Sequence, residues 1–454
     1  MSNRTLLANG CVLTMDPALG DLPKADILVE DGRIAAIDQQ IEADAELVDC
    51  TGRIVIPGFI DSHRHTWETA IRGCAPNATL DDYFVEVLDT FAPVYRAEDV
   101  YASNLAGALE CINAGITTLV DWSHINNTPD HPDAAIRGLQ ESGIRAQYAY
   151  GSANTSLAEY WFESQICVPP TDVKRIRDTY FSSDDGLITM ALATRGTGFC
   201  KDEVVQQEWG LARELGIPIT LHAGMGRLAG RFAMVDALDR LGLLGPDTTF
   251  IHCCYFSDGE WQKVADAGGT ISIAAQVEVQ MGHGWPPVRK SLEYGLPPSL
   301  SIDVVTTVPG DMFTQMRAAF GAERARANAV FWEKNEPASG LLTARQLLEM
   351  ATINGAKVAG VGGKTGSLTP GLAADIVVID ATAINMVPVI DPVAAVTLCA
   401  DVSNVESVMI DGVWRKRDGR LLADVDRART LVENSRDHLT GEVAKRAAVA
   451  AASS

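Results

Sequence analysis

The sequence predicts an α/β protein: a (β/α)8 TIM barrel joined to a small β-sandwich that both ends of the chain build. Two observations favour this fold. Strand-like and helix-like segments alternate through the middle of the chain, and hairpin signals occur near both termini. A doubly wound sheet is the alternative, but such a sheet would more often show a glycine-rich phosphate loop after its first strand, and this sequence shows none.

The two ends of the chain consist of short strand-like runs and tight turns. Asp31-Gly32 and Asp411-Gly412 each follow a β-branched run and favour a hairpin turn. We therefore expect residues 1–56 and 364–422 to form the two parts of the sandwich, around a barrel of residues 57–363. Residues 423–454 are rich in alanine, arginine and glutamate, and predict a C-terminal helix that packs on the body or on a second subunit.

The middle of the chain contains eight strand candidates, each short and rich in apolar or β-branched residues. They are residues 54–63, 117–123, 145–151, 187–194, 218–223, 248–253, 269–275 and 298–303. Helical stretches such as 100–113 and 204–215 separate most of them. Since this alternation is typical of a parallel barrel, we expect the carboxyl ends of all eight strands to share one face.

Composition and charge exclude several classes of partner. The net charge of −22 disfavours nucleic acid and anionic membranes, and no apolar run is long enough to span a bilayer. The first residues lack the pattern of a signal peptide. The nine cysteines are scattered and contain no C-x-x-C, which favours free thiols in a reducing compartment. We expect a cytoplasmic protein with a small-molecule ligand.

Histidines and an aspartate terminate several of the predicted strands. His63 and His65 end the first strand, and because side chains alternate along a strand, both imidazoles face the same way while Arg64 faces the other. His222 ends the fifth strand and Asp303 ends the eighth. Together these four side chains can surround one divalent ion and leave a position for water.

Such an ion would lower the pKa of its bound water from 15.7 to roughly 7 and provide hydroxide near neutral pH. Asp303 could then take the proton of the attacking water. His252, which ends the sixth strand, is better placed to orient the hydroxide or to stabilise the developing oxyanion. Nitrogen and oxygen ligands admit zinc, iron or cobalt without choosing among them. We expect one divalent ion per subunit, with zinc first.

The constellation resembles the amidohydrolase superfamily, in the branch of cytosine deaminase, S-adenosylhomocysteine deaminase and triazine hydrolase. Five segments carry the resemblance: residues 57–65, 115–118, 351–356 followed by Gly360, 366–368 and 371–375. The resemblance implies a barrel with a composite β-sandwich, one metal, and hydrolysis at a carbon that bears nitrogen or another leaving group. The fourth strand, residues 187–194, has no lysine for a bridging carbamate, which supports a mononuclear site.

The sequence departs from this family in one position that matters for proton transfer. Deaminases of the branch usually carry a glutamate three residues after the histidine of the fifth strand, and this chain has Met225 there. Two explanations stay open: another group moves the proton, or the leaving group needs it less. The candidates for a replacement are Glu68, Glu278, His283 and His252.

Aromatic residues follow several strand ends on the predicted catalytic face. Trp67, Trp122 and Trp285 could form walls for a flat ring, or could pack beneath the loops. His124 is a further candidate for a pocket residue, and residues 80–95 could form a lid.

The sequence therefore predicts a homo-oligomeric hydrolase, a dimer or a tetramer, that cleaves a carbon–nitrogen bond other than a peptide bond in a small cyclic or aromatic molecule. Deamination is the default that the family implies. Hydrolysis of an amide, urea, carbamate or halide is the second hypothesis, and a catalytically silent binding scaffold is the third.

Overall fold

The computed structural model describes residues 4–152, 165–226 and 232–453, which form two separate sheets with helices around one of them. The first sheet has nine strands and takes them from both ends of the chain. Its strands are β1 (Arg4–Leu13), β2 (Asp21–Glu30), β3 (Arg33–Asp38), β4 (Glu46–Asp49), β5 (Arg53–Pro57), β14 (Ile376–Asp380), β15 (Val405–Ile410), β16 (Val413–Arg417) and β17 (Arg420–Leu421).

The second sheet has eight parallel strands in chain order, from β6 to β13. They are β6 (Phe59–Arg64), β7 (Ile116–Ser123), β8 (Arg145–Tyr150), β9 (Ile188–Thr194), β10 (Ile219–Ala223), β11 (Thr248–His252), β12 (Thr270–Ile273) and β13 (Ser299–Leu300). The chain after β13 closes the ring against β6, since Asp303 N donates to His63 O at 3.0 Å and His65 N donates to Asp303 O at 2.8 Å. The barrel fold with a separate terminal sheet is confirmed.

The helices lie between and after the barrel strands. The α-helices are Leu80–Tyr83, Ala97–Asn113, Asp130–Ser142, Pro170–Tyr180, Asp202–Leu215, Met234–Arg240, Asp258–Ala267, Ala275–Gln280, Val288–Glu293, Met312–Lys334, Ala344–Ala351, Ile353–Val358, Pro392–Ala394 and Val425–Ser453. Shorter 3-10 or π turns are Thr66–Ile71, Phe84–Asp89, Ala92–Val94, Ala395–Cys399 and Val402–Asn404. None of the helices in the described ranges is long and apolar enough to cross a membrane.

The first predicted strand was wrong in its extent. Residues 54–57 belong to β5, which pairs with β1 and β14 in the terminal sheet, and the barrel strand β6 begins only at Phe59. Gly58 marks the break: its N–H bonds to the carbonyl of Asp375, and a Cβ there would lie 1.9 Å from Oγ1 of Thr117. The apolar run is continuous across this break, so hydrophobicity alone could not reveal it.

Buried polar contacts fasten the amino end of the barrel to the terminal sheet. Arg145, the first residue of β8, donates from Nε and Nη2 to the two carboxylate oxygens of Asp375 at 2.8 and 3.1 Å. Both side chains are buried, and Nζ of Lys416 on β16 donates to the carbonyl of Asn113 at 2.8 Å. These bonds attach the amino end of the barrel to the terminal sheet.

The long C-terminal helix packs against the helix Ala97–Asn113. Its last part, residues 444–452, is exposed. The helix therefore contacts the body through its first part.

Candidate metal centre and pocket

Four side chains converge at the carboxyl end of the barrel, where β6, β10 and the segment after β13 end. His63 Nε2 lies 3.0 Å from Asp303 Oδ1 and 3.2 Å from His222 Nε2. His65 Nε2 lies 3.4 Å from the same carboxylate oxygen. One ligand atom from each of the four falls within 4.8 Å of every other, and all four residues are buried. The structure thus brings the predicted ligand set together.

The electrostatics of this group suit a cation. Burial, reinforced by the neighbouring histidines, lowers the pKa of His65 and of His222 well below the ordinary value of 6.5. Burial also lowers the pKa of His63. Since a neutral imidazole offers a lone pair, the three rings are in the form that binds a metal. Burial would raise the pKa of Asp303, but the hydrogen bond with His63 and the interactions with the surrounding histidines lower it overall, so this carboxyl is ionised.

The rings are oriented by groups outside the cluster. His65 donates from Nδ1 to the carbonyl of Trp122 at 2.9 Å, which leaves Nε2 to face Asp303. Such a partner on the far nitrogen fixes the tautomer of a ligating histidine. Two imidazole nitrogens that face each other at 3.2 Å, beside a carboxylate, form a donor set that fits a divalent ion such as zinc.

Two residues of the site adopt a left-handed backbone conformation. The φ angles are +74° at His252, the last residue of β11, and +70° at Asp303, three residues after β13. This conformation turns each side chain out of the strand alternation and into the centre of the barrel mouth. Residues other than glycine hold such a conformation at a cost of about 1–3 kcal/mol, and Asp and His tolerate it better than β-branched residues do.

His252 stands beside the four-residue group and is held by a buried carboxylate. Its Nε2 lies 3.7 Å from Asp303 Oδ2, and its Nδ1 donates to Glu278 Oε1 at 3.2 Å. The same oxygen of Glu278 accepts from the backbone N–H of Ala274 at 2.9 Å, which fixes the carboxylate. Burial raises the pKa of Glu278, although the contact with His252 opposes this. Glu278 therefore orients His252 from behind.

A pocket opens directly over the cluster, and its space of about 390 Å³ includes part of the mouth that is open to solvent. Its inner end consists of His65, His222, His252 and Asp303. Its outer wall is formed by Leu80, Tyr83, Phe84, Met225, Met281, Val304, His124 and His283. The predicted lid segment thus contributes three wall residues, Leu80, Tyr83 and Phe84. Sequence reasoning missed Met281 and Val304, because an apolar loop residue carries no signal that separates a pocket wall from ordinary packing.

Of the predicted substrate contacts, His124, Met225 and His283 line the pocket. Trp67 and Trp122 are buried at 1% and 0% exposure and pack with their rings against His124, outside the pocket lining. Of the two alternatives that the sequence left open, walls of the pocket or packing beneath the loops, these two residues adopt the second.

Three other candidates lie off the pocket wall. Trp285 is 51% exposed and takes no part in the wall. Glu68 is buried behind the pocket, where it accepts hydrogen bonds from Tyr83 and from Thr306. Burial raises the pKa of Glu68 well above its ordinary value. Glu278, as described, contacts His252 rather than the pocket space.

Comparison with known proteins places this arrangement in a family. Residues 54–415 match the group described as the Amidohydrolase family. The chain is 28% identical over 426 residues to a 5'-deoxyadenosine deaminase from Methanosarcina mazei, covering 92% of this chain and 94% of the relative. It is 24% identical over 427 residues to a 5-methylthioadenosine/S-adenosylhomocysteine deaminase from Pyrococcus furiosus, covering 92% and 96%.

Solved structures share the fold over nearly the full length. The atrazine chlorohydrolase from Arthrobacter aurescens TC1, complexed with zinc, superposes with a TM-score of 0.83 at 24% identity, covering 95% of this chain and 100% of that one. An adenosine deaminase from Xanthomonas campestris with bound zinc gives a TM-score of 0.83 at 21% identity, covering 96% and 98%.

Proposed function

Because the chain belongs to the amidohydrolase family, we propose that its site hydrolyses a carbon–nitrogen bond, other than a peptide bond, in a small cyclic or aromatic molecule. The observation that carries the proposal is the convergence of His63, His65, His222 and Asp303, with His252 beside them, at the floor of a pocket. The deaminase relatives, which the chain covers over more than nine tenths of their length, support this reaction class.

Asp303 and His252 have distinct roles in this reaction. A divalent ion, when bound, would supply an activated water as the nucleophile. Asp303 holds an ionised carboxylate whose second oxygen faces His252, which suits it to accept the proton of that water. Nε2 of His252 lies at the pocket floor, and in the imidazolium form, with Nδ1–H on Glu278, Nε2–H can donate to the oxygen that develops negative charge on the attacked carbon.

A second candidate reaction is favoured by Met225. A thioether cannot move a proton to a poor amine leaving group, and loss of a general acid typically slows such a step by about 10²–10⁴-fold. Hydrolysis of an amide, urea, carbamate or halide on an aryl or heteroaryl substrate would depend less on that group. Met225 lines the pocket, so its apolar side chain faces the substrate space.

The remaining features are also proposals. We assign zinc as the metal, one ion per chain, because the donor set is three imidazoles and one carboxylate and no second set of four ligands occurs among the described residues. We place the enzyme in the cytoplasm, in keeping with its nine free cysteines. The exposed end of the C-terminal helix, residues 444–452, is suited to pack on a second copy in a dimer or tetramer.

The test is a product analysis of the purified protein loaded with zinc. Ammonia release would be measured with adenine, cytosine and melamine, and aryl amine release with acetanilide and phenylurea. We expect ammonia from at least one aminoheterocycle, and loss of that activity after chelation. Turnover of the anilide or urea alone would favour the second candidate reaction over deamination of an aminoheterocycle. A zinc-loaded protein that turns over neither group contradicts both.

A further inference from the structure

His283 is a buried histidine that has no assigned role in the proposed reaction. It is 2% exposed and lines the pocket, yet neither ring nitrogen has a hydrogen-bond partner among the residues that the structure describes. A buried polar group without a hydrogen-bond partner destabilises the folded protein. The hydrogen-bonding capacity of His283 is therefore directed at whatever enters the pocket.

The loop that carries His283 lies against the position where the family's glutamate is missing. The N–H of Gly226, the residue after Met225, donates to the carbonyl of His283 at 2.7 Å. The two side chains also line the same pocket. His283 thus reaches the pocket from beside the segment that would otherwise supply the carboxyl group.

His283 is also close to the reacting centre. Its ring centroid lies 4.7 Å from that of His252, with the rings edge to face. Single polar atoms of His283, His252 and Asp303 lie within 4.8 Å of one another. A substrate atom hydrogen-bonded to His283 would therefore lie next to the carbon that the nucleophile attacks.

The loop holds the imidazole rigidly. Gly284 N donates to the carbonyl of Glu278 at 3.2 Å, and Leu80 N donates to the carbonyl of Met281 at 3.0 Å. Gly284 has a φ of +140°, and a Cβ there would lie 2.7 Å from Cβ of Cys254, so only glycine fits this turn. Since backbone bonds flank His283 on both sides, the backbone position from which its side chain enters the pocket is set before a ligand binds.

We propose that His283 binds the substrate directly, by donating a hydrogen bond to the ring nitrogen or carbonyl oxygen next to the reacting carbon. It thereby occupies the functional place of the glutamate that Met225 replaces. This inference rests on the proposed function, and it names the hydrogen-bond acceptor that the substrate must carry. An imidazole carries at least one N–H in either protonation state, so His283 can donate this bond.

The experiment is a double-mutant cycle between His283→Ala and Met225→Glu on the zinc-loaded enzyme, with ammonia release from cytosine, adenine and melamine as the readout. We expect His283→Ala to lower kcat/KM by about 10²–10³-fold, the usual effect of losing one preorganised donor. In the Met225→Glu background, His283→Ala should lower kcat/KM by less than about tenfold. The new carboxyl group would then bond to the acceptor atom of the substrate in place of His283. Equal losses in both backgrounds would overturn the proposal.

Two further variants separate binding from folding. His283→Gln keeps an N–H donor and should recover part of the activity. Trp285→Ala lies in the same loop but outside the pocket wall, and should leave kcat/KM within about twofold. A loss in Trp285→Ala as large as in His283→Ala would mean that the loop itself, rather than the imidazole, is being disturbed.

Calorimetric binding of uracil, a hydrolysis product of an aminopyrimidine, gives a readout that needs no turnover. We expect uracil to bind the zinc-loaded protein, and His283→Ala to weaken that binding at least about tenfold. Unchanged binding overturns the role of His283 even if the wild type is active, whereas lost binding in a protein that hydrolyses nothing supports His283 and contradicts the proposed function. Two zinc ions per wild-type chain, falling to one in His283→Ala, would instead make His283 a metal ligand with His252 and Asp303.

Discussion

The two ends of the barrel carry buried polar groups that are arranged in opposite ways. At the amino end, Arg145 and Asp375 satisfy each other with two hydrogen bonds and Lys416 bonds to a carbonyl. At the carboxyl end, three histidines point their nitrogens at one another and at Asp303. The first arrangement is complete as it stands, and the second becomes complete only with a cation.

This difference indicates that the two ends of the barrel have different roles, one in stability and the other in ligand binding. Matched ion pairs at the amino end hold the barrel on the terminal sheet, whereas the carboxyl end keeps polar groups available for a ligand. If the division is real, substitutions at the carboxyl end should change chemistry more than stability, and those at the amino end should do the reverse.

The largest effect is expected from His222→Ala. Loss of one of four ligands should remove most of the bound zinc and reduce activity far more than the ~10–100-fold typical of an outer partner. Zinc content by atomic spectroscopy and kcat/KM check this, with thermal unfolding of the metal-free proteins as the control. Full zinc occupancy in the variant would sink the ligand assignment.

Arg145→Ala tests the opposite end. Removing one member of a buried ion pair leaves Asp375 unpaired and should lower the free energy of unfolding by about 3–5 kcal/mol. Zinc content should be unchanged. Lys174→Ala is the matched control, since its pair with Glu214 is exposed and should contribute less than about 1 kcal/mol. Urea unfolding measures both, and similar losses in the two variants would contradict the argument.

Glu278→Gln should have a smaller effect, confined to chemistry. The amide cannot hold Nδ1 of His252 as the carboxylate does, so we expect a ~10–100-fold loss of kcat with zinc retained. Glu293→Gln is the control, because Glu293 is an exposed glutamate at the end of the helix Val288–Glu293. A loss confined to KM would argue that Glu278 affects substrate binding instead.

The smallest effect is a pH dependence at the amino end. Burial lowers the pKa of Lys416 from 10.5 to about 8, so between these values the unfolded chain binds the proton that the folded protein has released. Stability contributed at this site therefore rises with pH through that window. Relative to Lys416→Met, the wild type should gain melting temperature between pH 8 and 10. A difference in melting temperature between the two proteins that stays constant over this pH range would contradict the lowered pKa of Lys416.

The convergence of His63, His65, His222 and Asp303 could be predicted because these residues lie at or shortly after the ends of barrel strands. Strand alternation places His63 and His65 on one face, and the parallel order of the barrel brings His222 and Asp303 to the same end. The substrate half depends on how loops fold. Glu278 and His283 look alike in the sequence as polar residues after the seventh strand, but one bonds to His252 and the other faces the pocket.

The same limit applies to the fold. Alternating segments predicted the barrel, and the domain boundary was expected between residues 56 and 57, but the predicted strand 54–63 ran across the break at Gly58 because β5 and β6 form one apolar run. Helix starts were placed late for a related reason. The helix Asp202–Leu215 begins two residues before its first apolar residue, Val204, since its first turn is acidic and exposed in part. Hydrophobic periodicity marks the buried face of a helix, not its capped end.

The left-handed backbone at His252 and Asp303 has a consequence for directed evolution. Glycine would relax both positions while removing their chemistry, so a screen that rewards heat resistance alone would enrich glycine there and silently select inactive proteins. Alanine scanning would err in the other direction, because alanine adds backbone strain to the lost function. Asparagine, which tolerates this conformation and matches aspartate in shape, is the informative replacement at position 303.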